Sequence, residues 1–100
     1  MMRTVYFNVL YEDDVDDVDI ISVPYHIATR MSVLTQEFLD WLPNAVDDIY
    51  WTMIDGRKCS VCETEGFVKW LNENYCENNQ MVTIVKEHTQ YVREYSSVEF

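Results

Sequence analysis

The fold is decided by the stretch TVYFNVLYEDDVDDVDIISV, residues 4–23, in which a block of acidic residues separates two apolar runs. Residues 4–11 alternate apolar and polar side chains, a pattern typical of a strand with one buried face. Residues 18–23 are rich in β-branched side chains and predict a second, shorter strand. The acidic block predicts a turn or loose loop, so the whole stretch predicts a β-hairpin whose tip carries the charge.

The next segment predicts an amphipathic helix. Pro24 suits the first helical turn, and apolar residues then recur at steps of four, three, four and four residues. This spacing places them on one face of a helix that Pro43 ends, because proline has no N–H to continue the hydrogen-bonding pattern. The apolar face consists of Ile27, Met31, Leu34, Phe38 and Leu42.

The middle of the chain predicts a second hairpin and a second helix. Residues 49–54 have the composition of a strand, and Asp55-Gly56 is a strong signal for a two-residue turn. Residues 57–61 fit a return strand, but the sequence from Ser60 to Glu63 also fits a capping box that opens a helix, and both alternatives stay open. A helix to about Asn74 is predicted in either case, with one face formed by Val61, Thr64, Val68, Leu71 and Tyr75.

The last part of the chain predicts two more strands, residues 81–87 and 91–98, joined across residues 88–90. Strands and helices mixed at this length, with hairpins at both ends, predict a single α+β domain over residues 1–100. The expected architecture is a mostly antiparallel sheet of about four to six strands with two helices packed on it.

The charge of the chain is strongly negative and uneven. Eighteen Asp and Glu residues against seven Lys and Arg residues give a net charge of −11, and residues 1–50 hold ten of the acids but only two of the bases. Direct binding to DNA, RNA or an anionic membrane is therefore disfavoured, because phosphate contacts require Lys and Arg. A protein partner with a basic surface is favoured, since opposite fields steer encounter and set specificity.

Cysteine content and hydropathy indicate the cellular compartment in which the protein is expected. Three cysteines, an odd number, suit a reducing compartment, and the first residues contain no apolar run of signal-peptide length. No apolar stretch approaches the roughly 20 residues that span a bilayer. We therefore expect a soluble, cytoplasmic protein that does not bind membranes.

The acidic run is the main candidate for function. An extended chain advances about 3.3 Å per residue, so six carboxylates in eight residues place one charge per roughly 4.4 Å. This density is close to the phosphate spacing of about 3.4 Å along one strand of duplex DNA. Four later acids would extend the negative field if they lie on the same side of the protein as the run. The alternative is that the acidic run is a solvated loop that only aids solubility. The run contains Glu12, Asp13, Asp14, Asp16, Asp17 and Asp19, and the later acids are Glu37, Asp40, Asp47 and Asp48.

The sequence contains two possible metal sites, neither of which fits well. An EF-hand loop counted from Asp14 would place Asp19 where a glycine is required and Tyr25 where a glutamate is required. A zinc site of the C-x₂-C type is disfavoured because residues three apart on a strand point to opposite faces, and because buried free cysteines are common. We expect no cofactor and keep zinc as a lesser alternative, with the ligands Cys59, Cys62, Cys76 and His88.

The chain contains no sequence motif for catalysis. A Gly-rich phosphate loop, G-x-S-x-G and H-E-x-x-H are all absent from the sequence. His26 and His88 have no sequence-level partner that identifies a nucleophile or a base. We therefore expect that the protein is not an enzyme, and we expect its three tryptophans to serve mainly in packing.

The chain resembles the small acidic inhibitors that phages and other mobile elements encode against host nucleases, including DNA-mimic anti-restriction and anti-CRISPR proteins. The resemblance rests on its size, the run EDDVDDVD, the further acids of DDIY and the absence of catalytic motifs. It implies a stoichiometric inhibitor in the host cytoplasm, which occupies the basic nucleic-acid-binding channel of a nuclease such as a CRISPR effector. The acids named above would pair there with Lys and Arg. A structural or adaptor protein that binds through an aromatic surface remains the alternative.

Overall fold

The computed structural model describes residues 3–10, 15–60, 63–76 and 81–100. These residues form a mixed α+β structure, which confirms the predicted fold class. The strands are β1 (Thr4–Leu10), β2 (Val18–Pro24), β3 (Trp51–Ile54), β4 (Arg57–Ser60), β5 (Thr83–Thr89) and β6 (Ser96–Glu99). The helices are α1 (Tyr25–Ala28), α2 (Met31–Trp41) and α3 (Thr64–Asn74), and two short 3₁₀ turns cover Leu42–Asn44 and Asp48–Tyr50.

The predicted N-terminal hairpin pairing is confirmed. Strands β1 and β2 are antiparallel neighbours in a four-stranded sheet of order β5-β2-β1-β6, with Phe7 opposite Ile21 and Val9 opposite Asp19. The side chains of Phe7, Val9 and Ile21 are buried against the helices, as alternation along the strands requires. Glu12, Asp13 and Asp14, which the sequence predicts at the tip of this hairpin, lie outside the described residues.

The predicted C-terminal hairpin is wrong. Strand β5 continues to Thr89 and pairs antiparallel with β2, whereas β6 pairs in parallel with β1 at the opposite edge of the sheet. Residues 91–95 therefore do not belong to a strand but cross the outer face of the sheet, where Tyr91, Val92 and Tyr95 cover Leu10 and two residues of β2. Burial of this second apolar patch explains the crossing, because a hairpin would leave the patch exposed to water.

The first predicted helix is divided into α1 and α2. The backbone N–H of Arg30 bonds to the carbonyl of Ile27 three residues back, and the hydroxyl of Thr29 donates to the carbonyl of His26. These contacts replace the regular helical pattern for one turn, and α2 then begins at Met31. The whole predicted apolar face is nevertheless buried, and α2 ends at Trp41, before a 3₁₀ turn that contains Pro43.

The second predicted hairpin and helix are present with different boundaries. Residues 57–60 form the return strand β4 behind an Asp55-Gly56 turn with positive φ at both residues, so the capping-box alternative at Ser60 is wrong. Strand β3 starts only at Trp51, because Asp47 accepts a hydrogen bond from the N–H of Ile49 and closes a 3₁₀ turn.

Helix α3 ends at Asn74 as predicted, but its buried face only partly matches the predicted one. Of the predicted face, Thr64 and Leu71 are buried, Val68 and Tyr75 are half-buried, and Val61 lies outside the described residues, whereas Phe67 and Trp70 are buried in addition. The aromatic residues of α3 take the core positions because they pack on Phe38 of α2, with ring centroids 5.2 Å apart for Phe67 and 5.5 Å for Trp70.

One continuous core fills the space between the sheet and the helices. Phe38 is fully buried at its centre and also packs on Trp41, Tyr50 and Phe100. Among the described residues, no helix combines the length and the apolar character that crossing a bilayer requires.

Candidate acidic binding surface

The C-terminal half of the acidic run is attached to β5 and α3. The carboxylate of Asp17 lies 2.8 Å from Nδ1 of His88, and both side chains are largely exposed. Asp19 is half-buried and accepts hydrogen bonds from the hydroxyl of Thr64 and from the backbone N–H of His88. Asp17 raises the pKa of His88, chiefly through the direct hydrogen bond. This end of the run is therefore held in place by the fold, with Asp16 exposed beside it.

Helix α3 exposes a strip of charged residues between its buried sides. Glu65, Lys69 and Glu73 follow one another at steps of four residues, so they lie one above the other on a single face of the helix. Glu65 and Glu73 are exposed, and Lys69 forms an ion pair with Glu73. We call these three residues the α3 strip.

Carboxylates from three other segments contact α3 or the residue that follows it, and one of these contacts, that of Asp47 with Lys69, is with the α3 strip itself. At its first residue, Thr64 donates to Asp19 of β2; near its middle, Lys69 lies 3.2 Å from Asp47. Just after its last residue, the hydroxyl of Tyr75 donates to Glu37 of α2 over 2.8 Å. The eleven residues of α3 span about 16 Å. Together with the strip, these contacts define the α3 acidic surface: Asp19, Glu37, Asp47, Glu65, Lys69 and Glu73.

The ionisation of this surface favours a persistent negative charge. Hydrogen bonds from the N–H of Ile49 and from Lys69 lower the pKa of Asp47. Glu73, and then Asp47, raise the pKa of Lys69 to about 12, so this single ammonium stays charged while it contacts two carboxylates. The surface as a whole retains more carboxylates than cations near neutral pH.

The C-terminal end of the surface also has a cation beside it. The guanidinium of Arg30 lies over the ring of Tyr75, 5.6 Å from its centroid, while the Tyr75 hydroxyl donates to Glu37. The hydrogen bond to Glu37 raises the pKa of Tyr75. Arg3, the other base of the N-terminal half, lies over the ring of Tyr25 instead.

The remaining predicted site residues occupy different positions. Asp40 lies on α2 three residues after Glu37 and accepts a hydrogen bond from Gln36 over 3.0 Å. Asp48 is exposed in the 3₁₀ turn that follows Asp47. Three residues of the acidic run, Glu12, Asp13 and Asp14, lie outside the described part of the chain. The structure thus brings Asp19, Glu37 and Asp47 to one helix and places Asp40 and Asp48 next to two of them.

Sequence reasoning missed the carboxylates that α3 itself contributes. Glu65 and Glu73 belong to the second half of the chain, where the net charge is low, and they were not predicted as site residues. The signal that reveals them is the Glu-Lys-Glu spacing of four residues within a predicted helix.

Residues 3–10, 15–60, 63–76 and 81–100 contain no cluster of three or more side chains able to hold a metal ion. Of the zinc candidates, Cys62 lies outside these residues, and Cys59 is on the hairpin strand β4. Cys76 is half-buried, and burial raises the pKa of its thiol. His88 is already engaged with Asp17.

The tryptophans serve packing rather than an exposed aromatic surface. Trp70 is buried, while Trp41 and Trp51 are half-buried against the core. The indole N–H of Trp51 donates to the carbonyl of Ala45 over 2.8 Å. The exposed aromatic rings include those of Tyr6 and Tyr25, and the adaptor alternative stays a prediction.

The chemistry that the α3 acidic surface offers is the recognition of cations. Ionised carboxylates accept hydrogen bonds, and their strongest partners in proteins are the guanidinium of Arg and the ammonium of Lys. Comparison of the chain with protein-family models, with curated proteins and with solved structures finds no match.

Proposed function

We propose that the protein is a stoichiometric inhibitor that binds the basic nucleic-acid-binding surface of a nuclease, such as a CRISPR effector, through the α3 acidic surface. The observation that carries the proposal is the convergence of Asp19, Glu37 and Asp47 on the helix that also presents Glu65 and Glu73. These residues come from four separate segments of the chain, so their proximity is a property of the fold.

The density of this charge supports competition with a nucleic acid. Five carboxylates along an 11-residue helix correspond to roughly one per 3 Å of helix axis. One strand of duplex DNA carries a phosphate about every 3.4 Å. Measured along the helix axis, a groove whose Lys and Arg residues are spaced for phosphates would find acceptors at a similar spacing, with Asp19 and Glu37 on the side of Thr64 and Tyr75 and with Asp47, Glu65 and Glu73 on the side of the α3 strip. The end of the acidic run at Asp16 and Asp17 adjoins the same surface through Asp19.

The fold contributes rigidity to the proposed interaction. Asp19 and Asp47 are each held by hydrogen bonds to the backbone or to α3, and Glu37 by the hydroxyl of Tyr75. Carboxylates that are already positioned lose little conformational entropy on binding, which increases affinity for a matching cationic surface. The net charge of −11 would in addition accelerate encounter with a basic partner at low salt.

The test compares two double variants that change the net charge equally. Glu65→Gln with Glu73→Gln removes two carboxylates from the α3 strip, whereas Glu87→Gln with Glu94→Gln removes two exposed carboxylates from β5 and the outer-face segment. Inhibition of candidate nucleases, and displacement of their nucleic acid, would be measured at several salt concentrations. The α3 variant should lose inhibition by roughly tenfold or more, which corresponds to about 1.4 kcal/mol, and the control should stay within about twofold.

Salt dependence provides an independent criterion. Inhibition by the unmodified protein should weaken steeply between low and moderate ionic strength, because exposed charges are screened over about 10 Å at 0.1 M salt. If both double variants inhibit as well as the unmodified protein, the α3 acidic surface is not the binding element. If no nuclease is inhibited, the proposed activity is wrong.

A further inference from the structure

A pocket of about 200 Å³ lies on the outer face of the main sheet, between β5 and the outer-face segment, residues 91–95. Ile20 of β2, which is buried, and Val92 of the outer-face segment give the pocket an apolar lining. Pockets that take drug-sized ligands enclose about 300 Å³ or more. This pocket therefore fits a smaller molecule, with roughly the volume of seven waters.

Two tyrosine rings also line the pocket. Tyr6 of β1 and Tyr95 of the outer-face segment stack on each other, with ring centroids 5.3 Å apart and ring planes inclined by 26°. Tyr6 is 40% exposed, so part of its ring is free for a further contact. Aromatic rings prefer offset-stacked or edge-to-face contacts with one another, so a planar ring is a suitable partner for this pair.

A β-bulge in β5 brings a lysine to the same pocket. Ile20 and Ile21 are consecutive on β2, whereas their partners on β5, Lys86 and Ile84, are two residues apart, with Val85 as the extra residue. In a regular strand, residues 84 and 86 would share a face, and Lys86 would point towards the core as Ile84 does. The bulge instead lets Lys86 share the outer face with Ile20, since bulges change the direction of side chains.

The polar lining of the pocket favours an anion. Lys86 is the charged residue that lines it, and the described lining contains no Asp or Glu. Although the protein contains 18 acidic residues, Lys86 takes part in no ion pair with a described residue. Thr89, which is half-buried, adds a hydroxyl to the lining. A carboxylate in the pocket would therefore meet an ammonium and a hydroxyl, both of which donate hydrogen bonds.

We propose that this pocket binds a small aromatic carboxylate, with the carboxylate on Lys86 and the ring against Tyr6 and Tyr95. The charge-assisted hydrogen bond orients the ligand, and the apolar lining removes its ring from water. A ligand of about ten non-hydrogen atoms with one such bond is expected to bind with a Kd of about 0.1–1 mM. The pocket shares no residue with the α3 acidic surface, so this inference does not depend on the proposed function.

The experiment titrates the full chain, labelled with ¹⁵N, with benzoate at pH 7 and a constant ionic strength of about 0.15 M, which screens the net negative charge of the protein beyond about 8 Å. The amide signals of Tyr6, Lys86 and Val92 should shift together, without comparable shifts along α3. Benzamide has the same shape without the charge, and acetate has the charge without the ring. Both should bind at least about tenfold more weakly than benzoate.

Matched lysine variants test the location. Lys86→Gln should weaken benzoate binding by about tenfold or more, whereas Lys86→Arg keeps the charge and should retain most of the binding. Lys58→Gln removes the same charge from an exposed position on β4 that does not line the pocket, and should leave benzoate binding within about twofold. Tyr6→Leu keeps an apolar side chain but removes the ring, and should also weaken binding.

The inference is overturned if benzoate produces no shifts up to about 10 mM, a concentration at least tenfold above the expected Kd. It is equally overturned if benzamide or acetate binds as tightly as benzoate, or if Lys86→Gln binds benzoate undiminished. Equal losses in Lys86→Gln and Lys58→Gln would show that benzoate responds only to the overall charge of the protein, and would also refute the pocket.

Discussion

Substitution of Asn8 tests most directly what holds the segment that covers the outer face of the sheet. It is fully buried on β1, and its amide group forms two hydrogen bonds with the backbone of Val92: the Val92 N–H donates to Oδ1 and Nδ2 donates to the Val92 carbonyl, each over 2.9 Å. Nδ2 also lies 3.4 Å from the carbonyls of Tyr95 and Ser96. One side chain thus fixes the segment that leads into β6.

Substitution Asn8→Ala removes these contacts and leaves the peptide groups of Val92 without their partner. Two hydrogen bonds contribute about 1 kcal/mol each, and the unsatisfied peptide groups add roughly another 1 kcal/mol or more. We therefore expect the free energy of unfolding to fall by about 3 kcal/mol. For a domain of this size that lowers Tm by roughly 12–24 °C. Urea denaturation monitored by tryptophan fluorescence gives the free energy, and circular dichroism gives Tm.

Two matched variants make the measurement specific. Asn44→Ala changes the same side chain at an exposed position and should shift stability by no more than about 0.5 kcal/mol. Asn72 forms the same two-way contact with the backbone of Val82, over 2.8 and 3.0 Å, so Asn72→Ala should destabilise comparably. Its effect on amide exchange should appear at Val82, however, whereas that of Asn8→Ala should appear at residues 91–96. A loss below about 1 kcal/mol for Asn8→Ala, with unchanged exchange at Val92, would refute the reasoning.

Two further predictions concern a buried hydroxyl and an exposed ion pair. The hydroxyl of Tyr50 is buried without a hydrogen-bond partner in the described structure, so Tyr50→Phe should raise the free energy of unfolding by about 1 kcal/mol in urea denaturation, and a loss of stability would show that the hydroxyl has a favourable contact. Because Asp17 raises the pKa of His88, the pair stabilises the fold below about pH 6.5 and the effect is lost as the pH rises through the raised pKa. An NMR titration of the His88 ring in Asp17→Asn should give a lower pKa than in the unmodified protein, and Asp40→Asn should not; an unchanged value in Asp17→Asn would contradict the assignment.

The amino-acid sequence determined those features that depend on neighbouring residues along the chain. The alternation in residues 4–11 and 18–23 predicted the β1–β2 pairing, and the Asp55-Gly56 turn predicted the β3–β4 hairpin. The spacing from Ile27 to Leu42 identified correctly which side chains are buried. Local patterns succeed here because the periods of strands and helices decide which side chains share a face.

The same patterns could not determine which distant segment covers a given face. The periodicity of residues 91–98 fits a strand, yet only β6 at its end is a strand, because Leu10 and its neighbours on the outer face need cover and Asn8 binds the backbone of Val92. Likewise, the apolar spacing from Ile27 onward continues unbroken, while hydrogen bonds around Thr29 interrupt the helix.

For the candidate binding surface, too, some features follow from the sequence and others only from the tertiary structure. Composition determined that the chain is acidic, and the preference for basic partners stays a prediction from that charge. Only the tertiary structure decided that Asp19, Glu37 and Asp47 meet along α3, because their contacts with Thr64, Tyr75 and Lys69 join residues between 22 and 45 positions apart. Charge is a property of each residue, whereas a charged surface depends on how the core packs the segments that carry it.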